Sequence, residues 1–189
     1  LGVSPESLFD DLVHEVPPGS MGLMLQPYWS PSLKNLEAKG AIIGFGDVHT
    51  RAHIYRAILE GLAFALKEGK ETLERRQKQK ISRIIISGGG SQSDAAMQLT
   101  ADIFNLPVYR PHTFETSGLG AAMNVAVGLG YYDDYQSAVD NMTRLEKSFQ
   151  PITEHVSLYQ QLYREVYLKM YQQLKPIYRK IKAITGYPE

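Results

Sequence analysis

The chain has 189 residues, with 20 Lys and Arg balanced by 20 Asp and Glu, so its formal net charge is zero. That balance argues against a dominant nucleic-acid or anionic-membrane footprint, while leaving room for a local basic patch. The absence of cysteine excludes disulfides and thiolate metal sites and fits a reducing cytoplasm, and no apolar run approaches the roughly 20 residues that span a bilayer.

The acidic opening "LGVSPESLFDDL" has no basic segment and does not read as a secretion signal; without an initial Met it is compatible with a processed chain or a fragment. "SPESLFDDLVHEV" predicts a short helix with Ser4 as N-cap and Pro5 at its first position, ended by "PPGS" at 17–20. "GLMLQPYW" reads as a strand, and "AIIGF" at 41–45 as a second. From Thr50 the period changes. Ile54, Ala57, Ile58, Gly61, Leu62 and Ala65 share one face of a long helix whose solvated end is "KEGKETLERRQKQK".

"ISRIIIS" then reads as a strand buried on both faces of a parallel sheet. A helix starting at 91–94 presents Ala96, Leu99 and Ile103 inward, and "LPVYRP" is a short strand. "TSGLGAAMNVAVGLG" reads as a helix rich in small residues, and "YQSAVDNMTRL" as another. From Thr153 a long helix carries Leu158, Leu162, Val166, Met170 and Leu174, with Pro176 as a kink or break. The β-α-β-α-β order through the middle predicts an α/β domain with parallel strand pairs. One domain over residues 1–189 fits best, with 153–184 as its long C-terminal helical segment.

The stretch "IIISGGGSQSDAAMQL", residues 84–99, concentrates the chemistry. Three glycines between a strand and a helix are costly to order. They answer either to a tight turn or to a ligand that must lie against the backbone. Ser91, Ser93 and Asp94 are candidate N-caps, and a helix N-terminus offers unpaired N–H groups and a partial positive charge. Open α/β sheets bind ligands beyond the carboxyl ends of their strands, so a nucleotide is the natural candidate. No Lys follows the glycines, which argues against a P-loop, and Ser93 stands where G-x-G-x-x-G requires its third Gly.

Three segments in order resemble the C-terminal domain of the FGGY carbohydrate kinases, the group containing glycerol kinase, xylulokinase, gluconate kinase and ribulokinase. "GAIIGFGDVHTRAHIYRAILEGLAF" is similar to the family's second signature, with Gly40, Gly44, His53, Ile54, Ala57 and Glu60 at the matching spacings and Phe45 where an aliphatic residue is usual. "ISGGGSQSDAAMQLTADIFNLPV" resembles the adenosine-binding segment, and "ETSGLGAAMNVAVGLG" the small-residue helix that follows it. The resemblance runs from about Gly19 to Tyr132.

This resemblance implies an actin-like ATPase, or ribonuclease H-like, α/β domain: the C-terminal half of an FGGY kinase, missing its first strands. It implies ATP with Mg²⁺, a sugar or polyol substrate held mainly by an N-terminal domain of the same protein, and phosphoryl transfer by in-line positioning and charge neutralisation. Carried over by position, Gly88, Gly89 and Gly90 line the ATP, with Gly89 in closest backbone contact. Ser93 and Asp94 stand where the family has Asn or another small polar residue near adenine. The family's catalytic aspartate and phosphate loop lie upstream, so no catalytic residue is expected in this chain, and "WSPSLKNLEAKG" replaces a longer loop after "PY".

The expected function is therefore the ATP-binding domain of a cytoplasmic sugar or polyol kinase, inactive as this piece alone and compatible with a homo-oligomer. A non-catalytic nucleotide-binding domain of the actin-like superfamily is the alternative, and a dinucleotide-dependent oxidoreductase the third reading. Other constellations carry blander expectations. His49 and His53, with Asp47 nearby, lack the third ligand a catalytic zinc needs, so no metal site is expected. Arg51 and Arg56 read as solvated or paired. Gly118, Gly120, Ala121 and Ala122 read as close helix packing, with Glu115 complementing the helix dipole. Tyr159, Tyr163, Tyr167 and Tyr171 read as packing on their own domain.

Overall fold

The computed structural model of the protein describes residues 5–29 and 36–187. The first helix, α1, spans Pro5–His14; Ser4, its expected N-cap, lies outside the described residues, as does part of the loop after Trp29. Strand β1 (Met24–Gln26) pairs antiparallel with β2 (Ala41–Ile43), Leu25 opposite Ile42. All three β1 residues are buried. The long helix α2 (Arg51–Gln77) crosses β1 so closely that a Cβ on Gly61 would lie 2.5 Å from the Leu25 carbonyl oxygen. His53 explains the start of α2: its Nδ1 accepts from the Thr50 amide while the Thr50 side chain caps the first turn.

A second sheet orders its strands β3 (Ile84–Ile85), β4 (Val108–Pro111), β5 (Leu145–Phe149). Helix α3 (Asp94–Phe104) connects β3 to its parallel neighbour β4, whereas β5 runs antiparallel to β4. Two sequence expectations fail here. The strand "ISRIIIS" is not buried on both faces: Ile85 is 52% exposed, because β4 is the one sheet neighbour that β3 has among the described residues. Strand β5 was unanticipated, since "LEKSF" buries only Phe149 and so shows no apolar alternation.

Helix α4 (Thr116–Gly128) and helix α5 (Tyr135–Met142) follow the predicted segments, and α4 buries no residue at all. The chain closes with α6 (Thr153–Gln161), a π-helical turn (Leu162–Tyr167) and α7 (Leu168–Thr185), which continues past Pro176. The apolar stripe expected there is inward only in part: Met170 is buried and Leu162 and Val166 pack against the core, but tyrosines fill most of it. Leu158 is 38% exposed, while Tyr159, Tyr163 and Tyr167 are among the most buried side chains of the protein. They pack around Phe64 of α2, with ring centroids 6.1, 5.8 and 5.2 Å away respectively. Tyrosine suits this position because its ring fills the core while its hydroxyl reaches a polar partner: Tyr159 donates to Glu60 and Tyr163 to Glu71.

The inward face of α2 is likewise rotated from the expected one. Leu62 is exposed, and the buried positions include Arg56 and Glu60, 7% and 2% exposed. Their burial is tolerable because every polar atom is used. Glu60 accepts from Arg56 Nε at 2.9 Å, the Gly19 amide at 2.9 Å, Ser20 Oγ at 2.9 Å and Tyr159 Oη at 2.7 Å. Arg56 also donates to the carbonyls of Val13 and Val16 at 2.9 and 2.8 Å, and to Tyr159 Oη. Burial and the adjacent Glu60 carboxylate push the Tyr159 hydroxyl far above its usual range, so it stays a donor. Glu60→Ala strands a buried guanidinium, and we expect a loss of about 3–5 kcal/mol in unfolding free energy by urea titration; a loss under 1 kcal/mol contradicts this role.

Candidate functional site

The carboxyl end of β3 delivers the chain into Gly88, Gly89 and Gly90, which open a short 3-10 turn over Gly89–Gln92 before α3. Gly88 has φ 89° and ψ 177°, a conformation closed to residues with a Cβ, so its identity follows from the turn. Gly89 and Gly90 are different. Neither lies at left-handed φ, and a Cβ on either would meet nothing within 4 Å. Nothing in this chain requires glycine there. Their amides also find no hydrogen-bond acceptor among the described residues, leaving a bare main-chain floor with two free donors.

The polar residues of the segment hold this floor in shape. Ser91, buried, donates its hydroxyl to the Gly88 carbonyl at 2.7 Å. Ser93 is the N-cap of α3, accepting from the Ala96 amide at 3.0 Å, and its hydroxyl donates to Asp10. Asp10 also accepts from the Asp94 amide at 3.0 Å. The expected unpaired N-terminal amides of α3 are therefore partly satisfied from within, by Ser93 and by a carboxylate on α1. Asp94 pairs with Arg110 of β4 at 2.8 Å and with Lys147 of β5. Burial tends to raise the Asp94 carboxyl, but the hydrogen bonds from Lys147 and Arg110 outweigh it and hold the group below the usual carboxylate range. Arg110 returns to the turn by donating to the Ser91 carbonyl.

Helix α4 begins beside this floor: Ser87 Oγ and Thr116 Oγ1 are 2.9 Å apart, and the Gly88 amide donates to the Phe114 carbonyl at 3.1 Å. The expectation that Gly118 and Gly120 mark close helix packing is overturned, since a Cβ on either meets nothing within 4 Å. Glu115 stands at the N-cap of α4 with no side-chain cap bond. Two glycine-bearing segments thus face open space side by side. Arg51 is exposed, while Arg56 is buried in the Glu60 network and so is not directed at this floor. His49 and His53 lie with ring centroids 5.4 Å apart, but their Nδ1 atoms accept from the backbone amides of Gly46 and Thr50. Among the described residues no group of three or more His, Cys, Asp or Glu is placed to hold a metal, and no helix is long and apolar enough to cross a membrane.

Comparison with known proteins places this architecture. A xylulose kinase from Rhodospirillum rubrum superposes with a TM-score of 0.76 at 29% identity, over 92% of this chain and 35% of that one, so the fold is that of the actin-like ATPases. A sequence model of the FGGY family of carbohydrate kinases, C-terminal domain, matches residues 17–129. An uncharacterised sugar kinase of Escherichia coli K12 is 38% identical over 178 residues, 94% of this chain and 36% of its own length. A xylulose kinase of Lactococcus lactis is 34% identical over 181 residues, 93% of this chain and 36% of its own. The chain belongs to the FGGY family of carbohydrate kinases and corresponds to the C-terminal domain. It spans about a third of the length of these relatives.

Asp94 is a carboxyl whose folded pKa lies below its unfolded value of about 3.9. Its pairing with Arg110 and Lys147 is complete at neutral pH and lost as pH falls through the depressed folded value. Because the group is 45% exposed, the contribution is at most about 1 kcal/mol. Asp94→Asn is expected to flatten the fall in stability below about pH 4 while leaving the rest of the curve parallel; an unchanged acid limb in thermal unfolding contradicts it.

Proposed function

We propose that this chain is the ATP-binding part of a sugar or polyol kinase, which together with the remainder of a longer chain transfers the γ-phosphoryl group of ATP to a carbohydrate hydroxyl. The observation that carries the reading is the open floor at Gly89 and Gly90, where glycine has no structural cause inside the protein. A purine nucleotide resting there would use the two free amides, and a side chain at either position would lift it off. On this reading Gly88 shapes the turn, Gly89 and Gly90 touch the nucleotide, and Ser93 and Asp94 act by holding α3 and the turn in place. ATP supplies the transferable phosphoryl group. Mg²⁺ would enter with the nucleotide, held mostly by phosphate oxygens and water.

The open edge of β3 and the unburied α4 support the same reading. Ile85, Val125 and Leu129 are apolar and exposed along them, a surface that the remainder of a longer kinase chain would cover. We place the sugar contacts and the catalytic carboxylate in that remainder, on the FGGY resemblance, and the enzyme in the cytoplasm, which the cysteine-free composition fits.

Three measurements test this. Calorimetric titration with ATP, ADP and NAD, with and without Mg²⁺, should show binding of the adenine nucleotides; tight NAD binding with no response to ATP refutes the kinase reading. Gly89→Ala should weaken ATP binding about fivefold or more, as an overlap of about 1–3 kcal/mol implies, with the melting temperature unchanged because the added methyl meets no protein atom. Equal affinity in Gly89→Ala removes the floor from the site. The 189 residues alone should show no sugar-dependent ATP consumption, and measurable turnover overturns that part of the proposal.

A further inference from the structure

A cleft of about 580 Å³ opens at the other end of the sheet, lined by the C-terminal third of α2, the residues leading into β3, the end of α3, and Gln160 and Arg164 from α6 and the π-helical turn. Its walls carry six cations, Lys67, Lys70, Arg75, Lys78, Lys80 and Arg164. Against them stand two carboxylates, Glu71 and Glu74. In a chain whose net charge is zero, this is a pronounced local excess.

The carboxylates are already engaged. Glu74 accepts from the Ile81 amide at 2.8 Å and pairs with Lys70 at 3.0 Å and with Lys80 at 3.7 Å, and Glu71 accepts from Tyr163 Oη at 3.2 Å. The ends of α2 and α3 contribute about half a negative charge each, which offsets roughly one cation more. The remainder has no counter-charge. Arg164 and Lys78 make no hydrogen bond or ion pair among the described residues, and Arg75 reaches only Thr72 Oγ1. Lys67 lies deep in the wall, 8% exposed, with its ammonium donating to the Ile103 carbonyl at 2.6 Å. Burial lowers its pKa, the Glu71 carboxylate opposes that shift, and the charges of Lys70 and Arg164 add to it. The cations therefore converge closely enough to repel one another. Lys78 sits at left-handed φ 55°, at a helix C-cap where Gly or Asn is the usual choice, and so a strained position is filled by one more cation.

We infer that this cleft is a binding site for a small, multiply charged phosphate compound. Its volume lies in the range of small-molecule pockets. Lys and Arg together suit phosphoryl oxygens, while the amide side chains of Gln79, Asn105 and Gln160 add neutral hydrogen-bonding groups. A nucleic acid fits less well, because the excess charge is confined to one cleft. The cleft lies at the amino ends of β3 and β4, whereas the glycine floor lies at the carboxyl end of β3. Helix α3 runs between them, with Ser93 at one end and Asn105 at the other, about 18 Å along its axis at 1.5 Å per residue. A ligand here is therefore held apart from one on the glycine floor, at the opposite terminus of the same helix.

Pyrophosphate is the probe, with citrate as the carboxylate control, read by amide chemical shifts of the 189-residue chain. Pyrophosphate is expected to shift the amides of Ile81, Asn105 and Leu106. Arg164→Gln and Lys78→Asn together should weaken that response at least tenfold with no fall in melting temperature, since neither side chain has a structural partner and Asn relieves the strain at position 78. Citrate should act at least tenfold more weakly. Shifts confined to residues 88–91, shifts at 81 and 105–106 that survive the double variant, or no shifts at all overturn the proposal. So does equal binding of citrate, or a short oligonucleotide binding more tightly than pyrophosphate.

Discussion

The carboxylate of Glu60 is the point on which the rest of the molecule turns. It joins three stretches of the chain: residues 13–20, through the Gly19–Ser20 turn and, by way of Arg56, the carbonyls of Val13 and Val16; its own helix; and Tyr159 of α6. Ionic groups buried this deeply cost several kcal/mol each unless fully partnered. Here the partners are supplied by backbone and by a tyrosine hydroxyl as well as by the opposite charge. The network also holds an unusual piece of backbone. Gly19, Ser20, Met21 and Gly22 have φ of 83°, 49°, 51° and 92°, a run that a free chain populates rarely. Gly22 in turn lies against Gly44, where a Cβ would come 2.3 Å from the Gly22 carbonyl oxygen. Gly44 and Glu60, both in the segment that resembles the second family signature, thus serve one junction.

The glycine floor shows a division of labour between the residues that hold the turn and those left open. Asp10, Ser91, Ser93, Asp94 and Arg110 spend their polar atoms on one another and on the turn's own backbone. The residues left open are those without side chains. This is how a main-chain surface can be rigid enough to present amides to a ligand: the entropy cost of ordering the glycines is met by interactions that belong to the fold and not to the ligand.

Much of this was legible in the residues. The long helix after Thr50, the strand–glycine–helix succession and the small-residue helix all stand where their patterns put them, because local periodicity and capping act within a few residues. Helix faces were less legible. Apolar periodicity pointed to Leu158 and Leu62 as inward, but the protein buries Tyr159 and Glu60 instead, since a hydroxyl and a carboxylate with partners pack as well as leucine. Asp10 is the clearest omission. It caps a helix 84 residues away, and nothing within α1 signals it.

The sequence by itself determined the family, the succession of elements and the position of the glycine turn, since each depends on residues close together in the chain. Only the tertiary structure decided that Gly89 and Gly90 face open space, that Ser93 and Asp94 are occupied by Asp10, Arg110 and Lys147, and that a group of cations from α2 and the π-helical turn lines one cleft. Those facts depend on which distant side chains arrive at the same place. Burial and charge pairing across the whole chain govern that meeting, and no local pattern records it.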